Sequence, residues 1–281
     1  MGYECFDVEI TDRVAHVRMI RPEKHNSMIP AFWRELPEIV DGLSASGDAR
    51  AMVLSSEGRH FCSGMDLEVF GGNGNVSPGG SNGHRSRRNE RFRTTALKLQ
   101  DSFDALERAR MPVLGAVSGA CVGGGIDMIS AADLRYADES AFFSIAEINI
   151  GMTADVGTLQ RMPKLVPEGI VRELAFTGRK WSAAEAKDAG FVNAVYPDAD
   201  ALLDGVLGIA AEIASKSPMA VWGTKRSMNY ARDHSVADGL EFIANWNAAM
   251  FDTDDMAEAF TAGMDGRPAD FPDLWPLSDG V

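Results

Sequence analysis

The chain has 281 residues, 45% of them apolar and 24% charged, a composition that suits one large globular domain or a large domain with a small one. A net charge of −14 and a sequence pI near 4.8 argue against nucleic acid and anionic membrane surfaces as main partners, so an anionic ligand must be held by local groups against the global field. No apolar run is long enough to span a bilayer.

In chain order, residues 6–10 and 14–20 read as a hairpin, the second run alternating as a half-buried strand does. Strand-like sequence begins almost at once, so no signal or transit segment is expected. RPEKHNSM, residues 21–28, reads as a loop, and 30–43 as a helix. AMVLSSEG, 51–58, is a buried strand ending in a turn, and HFCSGMDL, 60–67, is a second small-residue turn around Gly64. Residues 71–83 are low in complexity and carry no core-forming side chains, which predicts a mobile loop. The dense basic run at 85–93 reads as a solvated helix start, and 93–108 as an amphipathic helix. MPVLGAVSG, 111–119, is a buried strand; 134–137, 141–145 and 191–196 add three more. Four helices are expected at 199–215, 218–232, 235–250 and 254–262, with Trp222, Phe242, Trp246 and Phe251 supplying large apolar groups for packing or subunit contact.

The cysteines, Cys5, Cys62 and Cys121, are odd in number and scattered, which makes neither a disulfide framework nor a metal motif. A reducing compartment, the cytoplasm, is the expectation. The five histidines show no metal spacing, so no metal is expected. Ser63 lacks the Gly two places before it that a nucleophile elbow needs, and the P-loop and G-x-G-x-x-G patterns are absent.

The most informative stretch is 120–157, ACVGGGIDMISAADLRYADESAFFSIAEINIGMTADVG. Gly123, Gly124 and Gly125 follow an apolar run and open a segment with helical spacing. Glycine there lets a ligand approach the backbone, and the free N–H groups of a helix start suit a developing oxyanion. Three carboxylates, Asp127, Glu147 and Asp155, lie in the same apolar company. Singly each has a plain reading: Asp127 and Asp155 as first-turn acids, Glu147 as the partner of an arginine. Together, behind a glycine-lined oxyanion site, they point to proton transfer by desolvated acids.

These segments carry a resemblance. HFCSGMDL and SGACVGGGIDMISAADLRYA resemble the two oxyanion segments of the crotonase (enoyl-CoA hydratase/isomerase) superfamily, and AEINIGMTADVGTLQRMPK, GRKWSAAEAKDAGFVNAVY and SKSPMAVWGTKRSMNYARDHSVADGLEF extend the match over nearly the whole chain. The longer segments are most similar to the delta(3,5)-delta(2,4)-dienoyl-CoA isomerase branch, whose three acids recur at spacings of 20 and 8, as Asp127, Glu147 and Asp155 do here. The resemblance implies an α/β (α+β) fold, with a spiral core of repeated β-β-α turns over 1–198 and a helical trimerisation region over 199–281. It implies isomerisation of 3,5-dienoyl-CoA to 2,4-dienoyl-CoA, as in fatty-acid β-oxidation, with backbone N–H donors at Met65 and Gly124 and substrate contacts at Ser63, Gly64, Asp66 and Gly123. Asp155 and Glu147 would serve C2 and C6, while Asp127 would tune Glu147 or shape the pocket, standing where hydratases of the family carry a Glu. Coenzyme A would be part of the substrate, with no other cofactor, and the assembly a homotrimer or homohexamer. A hydratase or other crotonase-type reaction, and a silent acyl-CoA-binding protein, are the alternatives. The second follows if the acids are solvated or locked in salt bridges.

Overall fold

A computed structural model of the chain describes residues 2–66 and 85–277. The predicted loop at 71–83 lies outside the described residues.

The hairpin forms as the alternation predicts: β1 (Phe6–Thr11) pairs antiparallel with β2 (Val14–Met19). Beside β2 lie β3 (Ala51–Ser56), β4 (Val113–Val117), β6 (Leu134–Asp138) and β9 (Ala194–Tyr196), all parallel, in the order β1-β2-β3-β4-β6-β9. A smaller sheet holds β5 (Ala120–Val122), β7 (Phe142–Ser144) and β8 (Trp181–Ser182). The two sheets are filled in step. β4 is followed by β5, and β6 by β7, so each turn of chain gives one strand to each sheet. The turn after β3 joins the pattern through a single parallel bridge, Cys62 to Cys121. This is the β-β-α spiral.

Parallel strands need cover on both faces. Successive side chains of β3 and β4 therefore divide between two cores. Met52, Leu54, Val113 and Val117 face one, with Phe32 and Leu36 of α1 (Phe32–Ser46) and Phe103 and Leu106 of α2 (Arg85–Arg108). Ala51, Val53, Leu114 and Ala116 face the other, where Leu202, Val206, Ala210 and Ala214 of α7 (Ala199–Ala214) cover them. Each fully buried Leu or Val there contributes about 1.5–3 kcal/mol. The basic run is the exposed first part of α2, which is continuous from Arg85 instead of starting near residue 93.

Between these lie α3 (Gly124–Ser130), α4 (Thr158–Arg161), α5 (Glu168–Thr177) and α6 (Ala183–Asp188). After α7 come α8 (Pro218–Asp233), α9 (Val236–Met250) and α10 (Thr253–Asp265). Each of these last four helices starts with a side-chain cap: Asp198, Ser217, Ser235 and Asp252. The strand expected at 191–196 is shorter, because only Ala194–Tyr196 pair with β6; Phe191 and Val192 turn into the core instead.

Candidate active site

Two turns meet at the end of the small sheet. Met28 bridges Met65 in parallel: its N–H donates to the Gly64 carbonyl at 2.9 Å, and the Asp66 N–H donates to the Met28 carbonyl at 3.1 Å. In such a bridge the intervening residue turns its own N–H to the opposite side. Met65 therefore presents its N–H away from Met28. Gly123, the cap residue of α3, is held by its N–H to the Ser144 carbonyl at 3.0 Å, and Gly124 opens the helix with an N–H that no earlier turn can accept. Neither the Met65 nor the Gly124 N–H has a protein acceptor among the described residues.

The two turns interlock only because they are made of glycine. A Cβ on Gly64 (φ +90) would stand 2.9 Å from the Val122 carbonyl oxygen and 3.5 Å from the Gly124 nitrogen. One on Gly124 would stand 2.8 Å from Met28 Sδ and 3.9 Å from the Met65 nitrogen. Gly123 (φ +55) lies under Glu147, whose Oε1 would be 3.2 Å from its Cβ.

All three predicted acids reach this place. They line one cavity of about 170 Å³ with Ser63, Gly64, Met65, Gly123 and Gly124, and with Trp33, Ile150 and Met152. Asp127, in the first turn of α3, is 1% exposed; Oδ1 accepts from the Thr158 N–H at 2.7 Å, so it caps α4 from outside, and Oδ2 has no partner. Glu147 opens a short 3₁₀ turn, Glu147–Ile150, and its buried Oε2 has no hydrogen-bond partner among the described residues. The arginine that would make Glu147 a structural acid is absent among the described residues. Asp155 is not a first-turn acid: it precedes α4 by three residues, on a segment without regular structure.

Desolvation moves all three upward. Glu147 is pushed to about 7, by desolvation first and then by the charges of Asp127 and Asp155. Asp127 is pushed to about 6 by desolvation, against the opposing hydrogen bonding from Thr158. Asp155 is raised by desolvation. Three neighbouring acids of this kind share their protons, and at neutral pH one can be protonated while another is ionised.

Asp66 is the predicted contact that the fold does not bring to the cavity wall. Its Oδ2 accepts from Ser27 Oγ at 2.8 Å, which fastens the 21–28 loop. Trp33 was not anticipated. Pro37, four residues on in α1, has no N–H for the Trp33 carbonyl, which accepts from Ser102 Oγ at 3.1 Å instead. That bond and the Phe103 ring, with centroids 5.2 Å apart, hold the indole against the cavity. Among the described residues no group of three or more His, Cys, Asp or Glu is placed to hold a metal ion, and no helix is long and apolar enough to cross a membrane. All three cysteines are buried and unpaired.

Residues 9–273 match the family described as enoyl-CoA hydratase/isomerase. The mitochondrial Delta(3,5)-Delta(2,4)-dienoyl-CoA isomerase of Rattus norvegicus is 42% identical over 268 residues, covering 95% of this chain and 81% of that protein. The peroxisomal Delta(3,5)-Delta(2,4)-dienoyl-CoA isomerase of Arabidopsis thaliana is 41% identical over 261 residues, 93% of each. The crystal structure of an enoyl-CoA hydratase from Bacillus anthracis aligns with a TM-score of 0.83 at 27% identity, over 98% of this chain and 100% of that one. With the interlocked glycine turns, the spiral of paired sheets and a match over nearly its whole length, the chain belongs to the enoyl-CoA hydratase/isomerase, or crotonase, family.

Proposed function

We propose that this chain converts 3,5-dienoyl-CoA to 2,4-dienoyl-CoA. The observation that carries the reading is the meeting of two unpaired acids, Glu147 and Asp155, with two unpaired N–H groups in one cavity. Relatives that bear the dienoyl-CoA isomerase name, at 41–42% identity, support it.

The thioester oxygen lies between the Met65 and Gly124 N–H groups. Enolate charge is stabilised where it forms, which makes the C2 proton acidic. Ionised Asp155 takes that proton, and the electron pair moves along the conjugated chain. C6 is four bonds from C2, so a second acid is needed there. Glu147, protonated near pH 7, gives its proton to C6, and the 2,4-diene results. Asp155 leaves the step protonated and Glu147 ionised; proton exchange with solvent restores both. The Asp127 charge keeps Glu147 protonated at higher pH than it would otherwise be. Ser63, Gly64 and Gly123 line the path of the thioester, while Asp66 supports it from behind. The reaction moves protons and double bonds without net redox change, so carboxylates and N–H groups are sufficient and coenzyme A enters as part of the substrate.

The division at residue 198 belongs to this reading, except that α7 still covers the sheet of the core; the helices after it assemble three chains, or two such trimers. Exposed Val236, Leu240, Phe260 and Met264 on α9 and α10 support it. Sedimentation showing only a 30.3 kDa species at micromolar concentration contradicts it. Three unpaired thiols suit a reducing compartment, of which the cytoplasm is the simplest case.

The function is tested by an ultraviolet assay of the purified protein with 3,5-dienoyl-CoA and 2-enoyl-CoA side by side. Appearance of the conjugated 2,4-diene is the expected result. Hydration of the 2-enoyl-CoA with no diene formed from the 3,5-substrate overturns the reading.

A further inference from the structure

Asp155 enters the cavity on residues 152–157, and its carboxylate takes no ion pair and no hydrogen bond from another residue among those described. Its position is set through the backbone on either side. Gln100 Nε2, from α2, donates to the Asp155 carbonyl at 2.7 Å. Arg161 Nη1 donates to the Val156 carbonyl at 3.3 Å, and the Thr158 N–H donates to Asp127. Gly157 closes the turn at φ +130, where a Cβ would overlap the Arg161 guanidinium.

The three tethers differ. Asp127 is itself in the cavity, and Arg161 is locked to Asp104 and Glu107 in a charged cluster. Gln100 lies outside the cavity wall, and the Asp155 carbonyl is the acceptor its carboxamide holds. Its neutrality matters. A cation at this point would favour the ionised acid and undo the upward shift that burial gives Asp155. A carboxamide fixes the backbone and leaves the charge balance alone. We infer that Gln100 is a positioning residue for Asp155: it ties the acid's segment to α2 and so aims the carboxylate at the substrate. The inference rests on the reading of Asp155 as the base at C2.

The test uses Gln100→Met, which keeps length and volume but deletes the donor, and the isosteric Gln100→Glu, which also repels the carbonyl. Hydrogen–deuterium exchange of the substrate-free protein should rise about tenfold in residues 152–158 and stay unchanged in 124–130. With 3,5-dienoyl-CoA, kcat should fall about 10- to 100-fold with KM within about twofold, because small misplacement of a reacting group is costly. In the neutral Gln100→Met the acidic limb of the pH–rate profile should not move, whereas Gln100→Glu adds a negative charge that should displace it upward. Unchanged exchange in 152–158 in both variants overturns the tether, and unchanged kcat with faster exchange overturns its role in catalysis. In Gln100→Met a displaced acidic limb with an unaltered plateau replaces positioning by an electrostatic effect and overturns it too. A wild-type protein that does not turn over the dienoyl-CoA counts against the function instead, and the exchange arm still decides whether Gln100 holds the Asp155 segment.

Discussion

Two glutamates mark opposite ends of what this fold does with acids. Glu258 on α10 is met by both Arg267 Nη groups, at 2.6 and 2.9 Å, and by the Asp270 N–H, and its carboxyl is brought down to about 2. Glu147 is half-buried, its buried Oε2 is unpartnered among the described residues, and it stands at about 7. The same division runs through whole regions. In the C-terminal helices Asp198, Asp238 and Asp252 accept from helix N–H groups or complete a capping box, and Asp255 meets Ser217. In the cavity, among the described residues, Asp155 meets no side chain and Asp127 leaves one oxygen unmet. Partners, not residue type, separate acids that stabilise from acids that can move protons.

The largest effect should come from the donor that faces these acids. Gly124 is the first residue of α3, where a helix tolerates proline, so Gly124→Pro removes one N–H. The new Cβ also presses on Met28 Sδ, and Gly124→Ala, which adds that Cβ but keeps the N–H, is the reference for the loss. We expect kcat to fall about 10²–10³-fold. A loss of less than tenfold means that this N–H does not meet the oxyanion. Next comes Asp155→Asn, expected to lower kcat about 10²-fold or more with KM little changed, while Glu147→Gln loses less because solvent can deliver a proton to C6.

A finer test separates Asp127 from the other two. Asp127→Asn keeps an oxygen for the Thr158 N–H but deletes the charge that raises Glu147. The basic limb of the kcat profile, set near 7 by Glu147, should move to lower pH. A limb that stays in place removes Asp127 from the tuning of Glu147.

Stability should show the same contrast with a defined sign. Glu147 binds its proton more tightly folded than unfolded, rising from 4.5 to about 7. Its contribution is therefore favourable below about 4.5 and is lost as pH rises through about 7. Glu147→Gln should gain on the wild type across that window, by about 1–3 kcal/mol at pH 8, as chemical denaturation at several pH values would show. A constant difference between pH 5 and 8 contradicts the burial of an unpaired acid. The smallest effect belongs to the paired region: Asp252→Ala should cost about 1 kcal/mol through the lost cap, with kcat unchanged.

Much of this contrast was legible in the sequence, because its signals are local. The glycine triplet and the alternation of β2 are read within a few residues, while the 20 and 8 spacing of the acids gains its meaning from the family resemblance. What escaped depends on contacts between distant segments. Trp33 reaches the cavity because Pro37 frees a carbonyl that Ser102 then takes, 69 residues away. Gln100 meets Asp155 across 55 residues. Asp66 sits in the right motif, yet its carboxylate is turned toward Ser27, 39 residues earlier. No periodicity carries such pairings.

The division of labour between Asp155 and Glu147 is tested most directly by exchange of the C2 proton in deuterated water. On 3,5-dienoyl-CoA, exchange should vanish in Asp155→Asn and persist in Glu147→Gln, since only the first removes the base at C2. Exchange that vanishes in Glu147→Gln and persists in Asp155→Asn exchanges the two roles. Full exchange and full isomerisation in both variants would contradict the two-acid account and return both residues to structural duty.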